Sequence, residues 1–122
     1  MAKNLEVTML FDIYGEMLTE KQRNFISYYY DDDLSLSEIA ENEGITRQGV
    51  RDAIKRAEAQ LYDFESHLGL KRRFDETKEG LEEIIALTEI IREVNLNTVL
   101  SREINDAITR INVIAQTLVT TD

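Results

Sequence analysis

The sequence predicts an all-α fold in which a small helical module is followed by a helical hairpin. Apolar residues recur at spacings of three and four along nearly all of the 122 residues, which is the period of an amphipathic helix. The chain has no proline and only 5 glycines, so few positions can break a helix. We predict two domains, residues 1–68 and residues 69–122.

The first domain is predicted to begin with two helices and an acidic break. The first helix covers roughly 5–17. Thr19 and Gln22 have the spacing of a capping box, in which each side chain bonds a backbone N–H at the helix start. This second helix is expected to end near Tyr30, with most of its tyrosines in the core. We interpret Asp31–Asp33 as a solvated acidic loop, since the glycine and distal glutamate of an EF-hand are missing.

Residues 35–57 have the layout of a helix-turn-helix. A short helix capped by Ser35 or Ser37 leads to Gly44, which can adopt the left-handed conformation that ends a helix. Thr46 can then cap a second helix, whose first turns are expected to enter a major groove. The small core expected to fix the crossing angle of the two helices is formed by Ile39, Ile45, Val50 and Ile54.

The outer side of this second helix carries cations at intervals of four. Arginine can bind phosphate or guanine, and glutamine can read a base edge. The alternative interpretation is a solvated face in which Asp52 and Glu58 pair with the cations. The candidate nucleic-acid-binding residues are Arg47, Gln48, Arg51, Asp52, Lys55 and Arg56.

The overall charge works against such a contact. The chain has 14 basic and 24 acidic residues, a net charge of −10. Residues 1–68 hold 7 basic and 14 acidic side chains (net −7), and residues 69–122 hold 7 and 10 (net −3). Because phosphate contacts supply much of the affinity for nucleic acid, binding would have to depend on a local patch.

Other classes of function find little support. The chain has no cysteine and 1 histidine, and it contains none of the common nucleotide-binding, hydrolase or metalloprotease motifs. We therefore predict no enzyme activity, no catalytic residue, no metal site and no cofactor. Since neither a signal-peptide run nor a membrane-spanning stretch occurs, a cytoplasmic location is expected.

The second domain is predicted to be a helical hairpin that mediates self-association. Its helices are expected over about 70–93 and 98–120, with the turn at 94–97. The first helix has more apolar surface than one partner helix can cover, so part of it should bury against a second copy or a neighbour's helix-turn-helix, which predicts a homodimer. The alternative is packing on the first helix of the same chain. The seam of the last helix is expected to be Leu100, Ile104, Ile108, Ile111, Ala115 and Leu118.

One set of segments carries a specific resemblance: Leu18–Gln22, Tyr28–Tyr29, Leu36–Ala40 and Gly44–Arg51. These segments resemble region 4 of bacterial sigma factors, a helix-turn-helix module, unrelated to winged helices, that recognises the −35 promoter element. The base-reading positions of that module correspond to Arg47, Gln48, Arg51 and Asp52. At the position of Asp52, sigma factors typically have a neutral glutamine. At the position of Gly49, they commonly have a cationic residue.

Further segments narrow the resemblance: Leu5–Glu6, Phe11–Gly15, Tyr28–Asp33, Arg56–Glu58 and Tyr62–Glu65. Over roughly residues 4–90 the chain is similar to the YlxM family, small helix-turn-helix proteins of Gram-positive bacteria. Genes of that family lie beside the gene of the signal recognition particle GTPase, which implies a role in the secretory targeting pathway. The implied partners are DNA or the particle's RNA, and the GTPase itself. The residues also leave open a protein-binding adaptor that keeps the fold without binding nucleic acid.

Overall fold

The computed structural model describes residues 2–120, and six α-helices lie along this stretch. A 3₁₀ turn, Gly15–Met17, follows the first helix, and a π-helical turn, Ser27–Asp31, follows the second. The predicted all-α fold is confirmed. None of the helices in the described part of the chain is both long and apolar enough to cross a membrane. The helices are α1 Leu5–Tyr14, α2 Glu20–Ile26, α3 Leu36–Glu43, α4 Arg47–Leu68, α5 Leu70–Asn97 and α6 Arg102–Thr120.

The chain divides into two compact units, Met1–Lys71 and Arg72–Asp122. Helices α1 to α4 belong to the first unit, and α6 with most of α5 belongs to the second. Between α4 and α5, Gly69 adopts a φ of 63°, a left-handed conformation that ends α4 at Leu68.

Side-chain caps determine where the helices of the first unit begin. Thr19 Oγ1 accepts the backbone N–H of Gln22 at 3.2 Å, and Gln22 Oε1 accepts the N–H of Thr19 at 3.1 Å. Ser35 and Glu38 form the same reciprocal pair at the start of α3, with both distances 3.1 Å. The predicted capping box is therefore confirmed, and of the two candidate serines the cap is Ser35 rather than Ser37.

The substitution Ser35→Ala is expected to destabilise the first unit by about 1 kcal/mol, because it leaves the Glu38 N–H without its cap. Ser37→Ala is the matched control, since this exposed serine lies inside α3 and alanine is a better helix former. All 5 tyrosines lie within residues 1–71 and the chain has no tryptophan. Tyrosine fluorescence during urea denaturation therefore reports this unit alone, and equal midpoints for the two variants would contradict the prediction.

One face of α4 forms the centre of the first unit's core. Its residues Val50, Ile54, Ala57 and Leu61 are fully buried, at the predicted spacings of four, three and four. By contrast, Ile45 is 41% exposed, so its predicted place in this core is wrong: it lies in the turn before α4, outside the helical period. The buried residues of α1, α2 and α3 in the same cluster include Val7, Leu10, Tyr14, Phe25, Ile26 and Ile39.

A partly buried hydrogen-bond network joins the two ends of the first unit. The Tyr14 hydroxyl donates to Glu65 Oε1 at 2.6 Å and accepts the backbone N–H of Leu70 at 3.0 Å. The same Glu65 oxygen accepts the N–H of Lys71 at 3.0 Å. Burial, together with the bond to Glu65, raises the pKa of Tyr14 above its ordinary value. The first turn of α5 is thereby bonded to α1 and to the last turn of α4.

The turn of the hairpin lies further along the chain than predicted. Helix α5 continues to Asn97 instead of ending near residue 93, and α6 begins at Arg102 instead of near residue 98. The Asn95 side chain explains the shift, since its amide donates to the Ser101 carbonyl and its oxygen accepts the Ser101 N–H, both at 2.9 Å. Leu100 completes the turn with a φ of 53°. Residues 98–101, which were expected to begin α6, therefore form the turn instead.

The two hairpin helices meet along a partly polar seam. Thr88 Oγ1 donates to Asn112 Oδ1 at 2.6 Å, and Arg92 Nη1 donates to Asn105 Oδ1 at 2.9 Å. Of the predicted apolar seam of α6, only two residues are buried, and the other four are 40–68% exposed. The hydrogen bonds between the helices align a different stripe of each, so the four exposed residues do not lie at the centre of the contact between α5 and α6, and a role of this seam in self-association stays a prediction. The two buried seam residues of α6 are Ile108 and Ala115.

Candidate nucleic-acid interface

The helix-turn-helix consists of α3, the turn at residues 44–46 and the first half of α4. Gly44 has a φ of 68°, which an L side chain rarely adopts, and so ends α3 sharply. Thr46 Oγ1 then accepts the backbone N–H of Gly49 at 3.0 Å and starts α4. Val50 and Ile54, both with no exposed surface, hold α4 from behind. The opposite side of α4 consequently faces outward.

Gly49 is the third residue of α4, and its backbone N–H donates to the capping hydroxyl of Thr46. A Cβ built at this position would lie 3.1 Å from that hydroxyl. The equivalent caps of α2 and α3 form with Gln22 and Glu38 at the same position, so the cap does not require a glycine. Nothing in the structure explains why glycine replaces the cation that is common in the sigma-type module.

All six predicted site residues lie on the exposed surface of α4. We use the term cationic stripe for Arg47, Arg51 and Lys55, which succeed one another by one helical turn. These four-residue intervals place the three cations along a single side of the helix. The remaining predicted residues, Gln48, Asp52 and Arg56, flank the cationic stripe.

The carboxylates that could neutralise the stripe bind neutral groups instead. Asp52 Oδ1 accepts a hydrogen bond from Gln48 Nε2 at 2.9 Å. Glu58 Oε1 accepts one from the Tyr30 hydroxyl at 2.6 Å, and burial, followed by this bond, raises the pKa of Tyr30 above its ordinary value. Within residues 2–120, no ion pair involves the cationic stripe or Arg56. The predicted pairing of Asp52 and Glu58 with these cations is therefore not seen among the described residues, and the interpretation of the stripe as a solvated face stays a prediction.

The structure adds one cation that sequence reasoning missed. Lys21 and Arg56 line the same groove, of about 380 Å³, between the start of α2 and the outer side of α4. The sequence analysis gave Lys21 no role in binding, and 35 positions separate it from Arg56. No local spacing could have indicated this juxtaposition. The other residues that line the groove are Thr19, Gln22, Phe25, Ile45, Gly49 and Ala53.

The tyrosine and aspartate block contacts α4 through the bond from Tyr30 to Glu58, and its other contacts are with the core and the start of the chain. Tyr29 belongs to the core, and Tyr28 and Tyr30 pack against it, which confirms the core interpretation of the tyrosines. Asp33 forms an ion pair with Lys3, which holds the pKa of its carboxyl below the usual range. Across the described residues, no group of three His, Asp or Glu side chains is placed to hold a metal ion.

A short helix, a left-handed glycine turn and a second helix with an exposed cationic side define a helix-turn-helix protein. The chain belongs to the UPF0122 family, whose model, described as "Putative helix-turn-helix protein, YlxM / p13 like", matches residues 1–99. The family predicted from the sequence is thereby confirmed.

Three curated relatives illustrate how similar the members are, and each bears the name UPF0122 protein. The one from Desulforamulus reducens is 48% identical over 84 residues, which cover 69% of this chain and 72% of the relative. The one from Shouchella clausii is 49% identical over 82 residues, 67% of this chain and 75% of the relative. One from Thermoanaerobacter sp. is 49% identical over 89 residues, which cover 73% of this chain and 76% of the relative.

Proposed function

We propose that this chain is a noncatalytic, nucleic-acid-binding accessory protein of the signal recognition particle pathway and that α4 is its binding surface. One observation carries the binding proposal: the cationic stripe and Arg56 make no ion pair within residues 2–120, while Asp52 and Glu58 on the same helix bind neutral partners. Four exposed charges in one helix are thus available to phosphates.

The position of these charges matters because the chain as a whole is acidic. Of the 7 basic residues within residues 1–68, four lie between Arg47 and Arg56. The net charge of −10 repels a polyanion at a distance, so binding depends on close contacts with this part of α4. We therefore expect an affinity that is modest and strongly dependent on salt.

The geometry suggests a division of roles along the helix. We expect Arg47 and Lys55, at the two ends of the cationic stripe, to contact phosphates, and Arg51 between them to contact a base edge. Gln48 has one amide hydrogen committed to Asp52, so these two side chains would contact a base as a pair. Arg56 faces the groove that also holds Lys21, which would extend the phosphate contacts to α2.

The pathway in this proposal rests on family resemblance and not on the geometry. The YlxM-type sequence pattern implies a link to secretory targeting, and the family model covers α1 to α5. The particle's RNA and DNA are therefore the two nucleic acids to compare, and the particle's GTPase is the protein partner to test.

Salt dependence is the first test of the binding surface. With three or four phosphate contacts, log affinity should fall against log salt with a slope of about −3. Raising the salt fourfold, from about 50 to 200 mM, should then weaken binding by roughly 60-fold. Fluorescence anisotropy with two labelled probes measures this: a mixed-sequence DNA duplex of about two helical turns and the transcribed RNA of the particle.

The same measurement separates the proposal from the adaptor alternative. If neither probe binds at low salt, and a protein such as the particle's GTPase binds equally well to the wild type and to a variant with Arg47, Arg51 and Lys55 replaced by Ala, the adaptor function is correct. A flat salt response with measurable binding would also contradict phosphate contacts as the source of affinity.

A further inference from the structure

The second unit leaves an ordered apolar surface on the outside of its hairpin. The side chains that α5 and α6 turn toward each other include Thr88, Arg92, Asn105 and Asn112, so much of the inner seam is polar. A hairpin usually buries its most apolar stripe between its own helices. In this hairpin the stripes with the most aliphatic residues lie outside the contact between α5 and α6.

Each helix carries an aliphatic stripe next to the seam, and we call the two stripes together the outer face. Their residues follow one another at intervals of three and four, the spacing with which helices pack in bundles. Apart from Ala107, these side chains are 40–56% exposed. The outer face consists of Ile84, Leu87, Ile91 and Val94 on α5 and of Ile104, Ala107, Ile111, Ile114 and Leu118 on α6.

Both stripes lie on the same side of the hairpin. Ile91 comes one residue before Arg92, which faces α6, and Ile111 comes one residue before Asn112, which faces α5. The two helices run in opposite directions. A residue one position before a seam residue in the sequence therefore lies on the same side of the hairpin in both helices, and a residue one position after a seam residue lies on the other side.

The opposite side of the hairpin combines hydrogen-bonding residues with isolated exposed aliphatic residues, which include Leu96 and Val113. Glu89, one residue after Thr88, accepts a hydrogen bond from Asn112 at 2.9 Å, and Thr109 lies 3.4 Å from Arg92. The hairpin therefore has continuous aliphatic stripes on one side, and hydrogen-bonded residues with only isolated aliphatic ones on the other. This asymmetry is what half of a four-helix bundle requires.

We infer that the outer face is an interface with a second copy of this chain, so that two hairpins form a four-helix bundle. A half-exposed aliphatic side chain presents roughly 100 Å², so the outer face offers about 800 Å², the share of one partner in a standard interface. The face is uncharged and two helices wide, which matches another hairpin of the same kind. A two-fold axis would bury both copies equally.

Replacing Ile111 by Lys tests this interface, because Ile111 lies on the outer face and is 43% exposed within the hairpin. At micromolar concentration and without nucleic acid, sedimentation velocity should show the wild-type chain at about 28 kDa, twice 14.1 kDa. Ile111→Lys should sediment at 14.1 kDa, since a charge would be buried in an apolar interface.

Val113→Lys is the matched control, because Val113 is also exposed, at 60%, on the same helix but outside the outer face. It should remain a dimer, and circular dichroism should show equal helix content for all three proteins. A wild-type chain at 14.1 kDa, a dimeric Ile111→Lys or a monomeric Val113→Lys would each overturn the inference. None of these outcomes depends on nucleic-acid binding, so the proposed function stands or fails separately.

Discussion

Replacing Arg51 by Glu is expected to reduce nucleic-acid binding to the level of nonspecific background, a loss of at least about 100-fold. Arg51 is the middle member of the cationic stripe and is exposed, so its removal deletes the central contact. The new carboxylate also repels phosphate and stands beside Asp52 on the same turn of α4. Anisotropy titrations with the DNA duplex and the particle's RNA, at one fixed low salt concentration, measure the effect.

Arg102→Glu provides the control for total charge. This substitution also changes the net charge by −2, but Arg102 is an exposed residue at the start of α6, in the second unit. It should weaken binding only through the overall field, by a few-fold at low salt. Similar losses for the two variants would show that total charge, and not the cationic stripe, determines binding.

The substitution Ile54→Ala is expected to lower the free energy of unfolding of the first unit by about 3 kcal/mol. Ile54 has no exposed surface and packs in the cluster that holds α4 against the other helices. Removing three methyl or methylene carbons loses burial and leaves a cavity in a close-packed core. Urea denaturation followed by tyrosine fluorescence gives the change directly, because the tyrosines report only this unit.

The matched control is Ile45→Ala, the same substitution nine positions earlier. Ile45 is 41% exposed, so its truncation should cost less than about 1 kcal/mol. This pair of variants also checks the corrected role of Ile45, which the sequence placed in the core. If Ile45→Ala lowered the free energy of unfolding as much as Ile54→Ala does, Ile45 would belong to the core, as the sequence predicted.

Local signals predicted the first unit well. The capping boxes at Thr19 and Ser35, the left-handed turn at Gly44 and the cap at Thr46 all join residues three or four positions apart. Such contacts form within a single turn of helix, so a short window of sequence contains both partners. The spacing of apolar residues along α4 likewise identified its buried side, because its four core residues lie on one face and no other face of this helix carries as many apolar residues.

The sequence predicted the residues of the candidate site but not the contacts that surround them. The six residues on α4 share one helix, and their spacing alone placed them on or beside one side of it. The partner of Glu58 is Tyr30, 28 residues earlier, and Lys21 reaches the groove of Arg56 from another helix. Whether the cations remain unpaired depends on such distant contacts, which no pattern along the chain can express.

The order of the helices, the caps of α2, α3 and α4 and the family followed from the amino-acid sequence by itself, since each depends on neighbouring residues or on matching segments. Only the tertiary structure decided which stripe of the hairpin is inside. Both α5 and α6 carry apolar residues on several sides, so periodicity permits more than one pairing. Hydrogen bonds across the seam, such as that from Thr88 to Asn112, select one of them, because buried polar groups must be satisfied by partners that folding brings near.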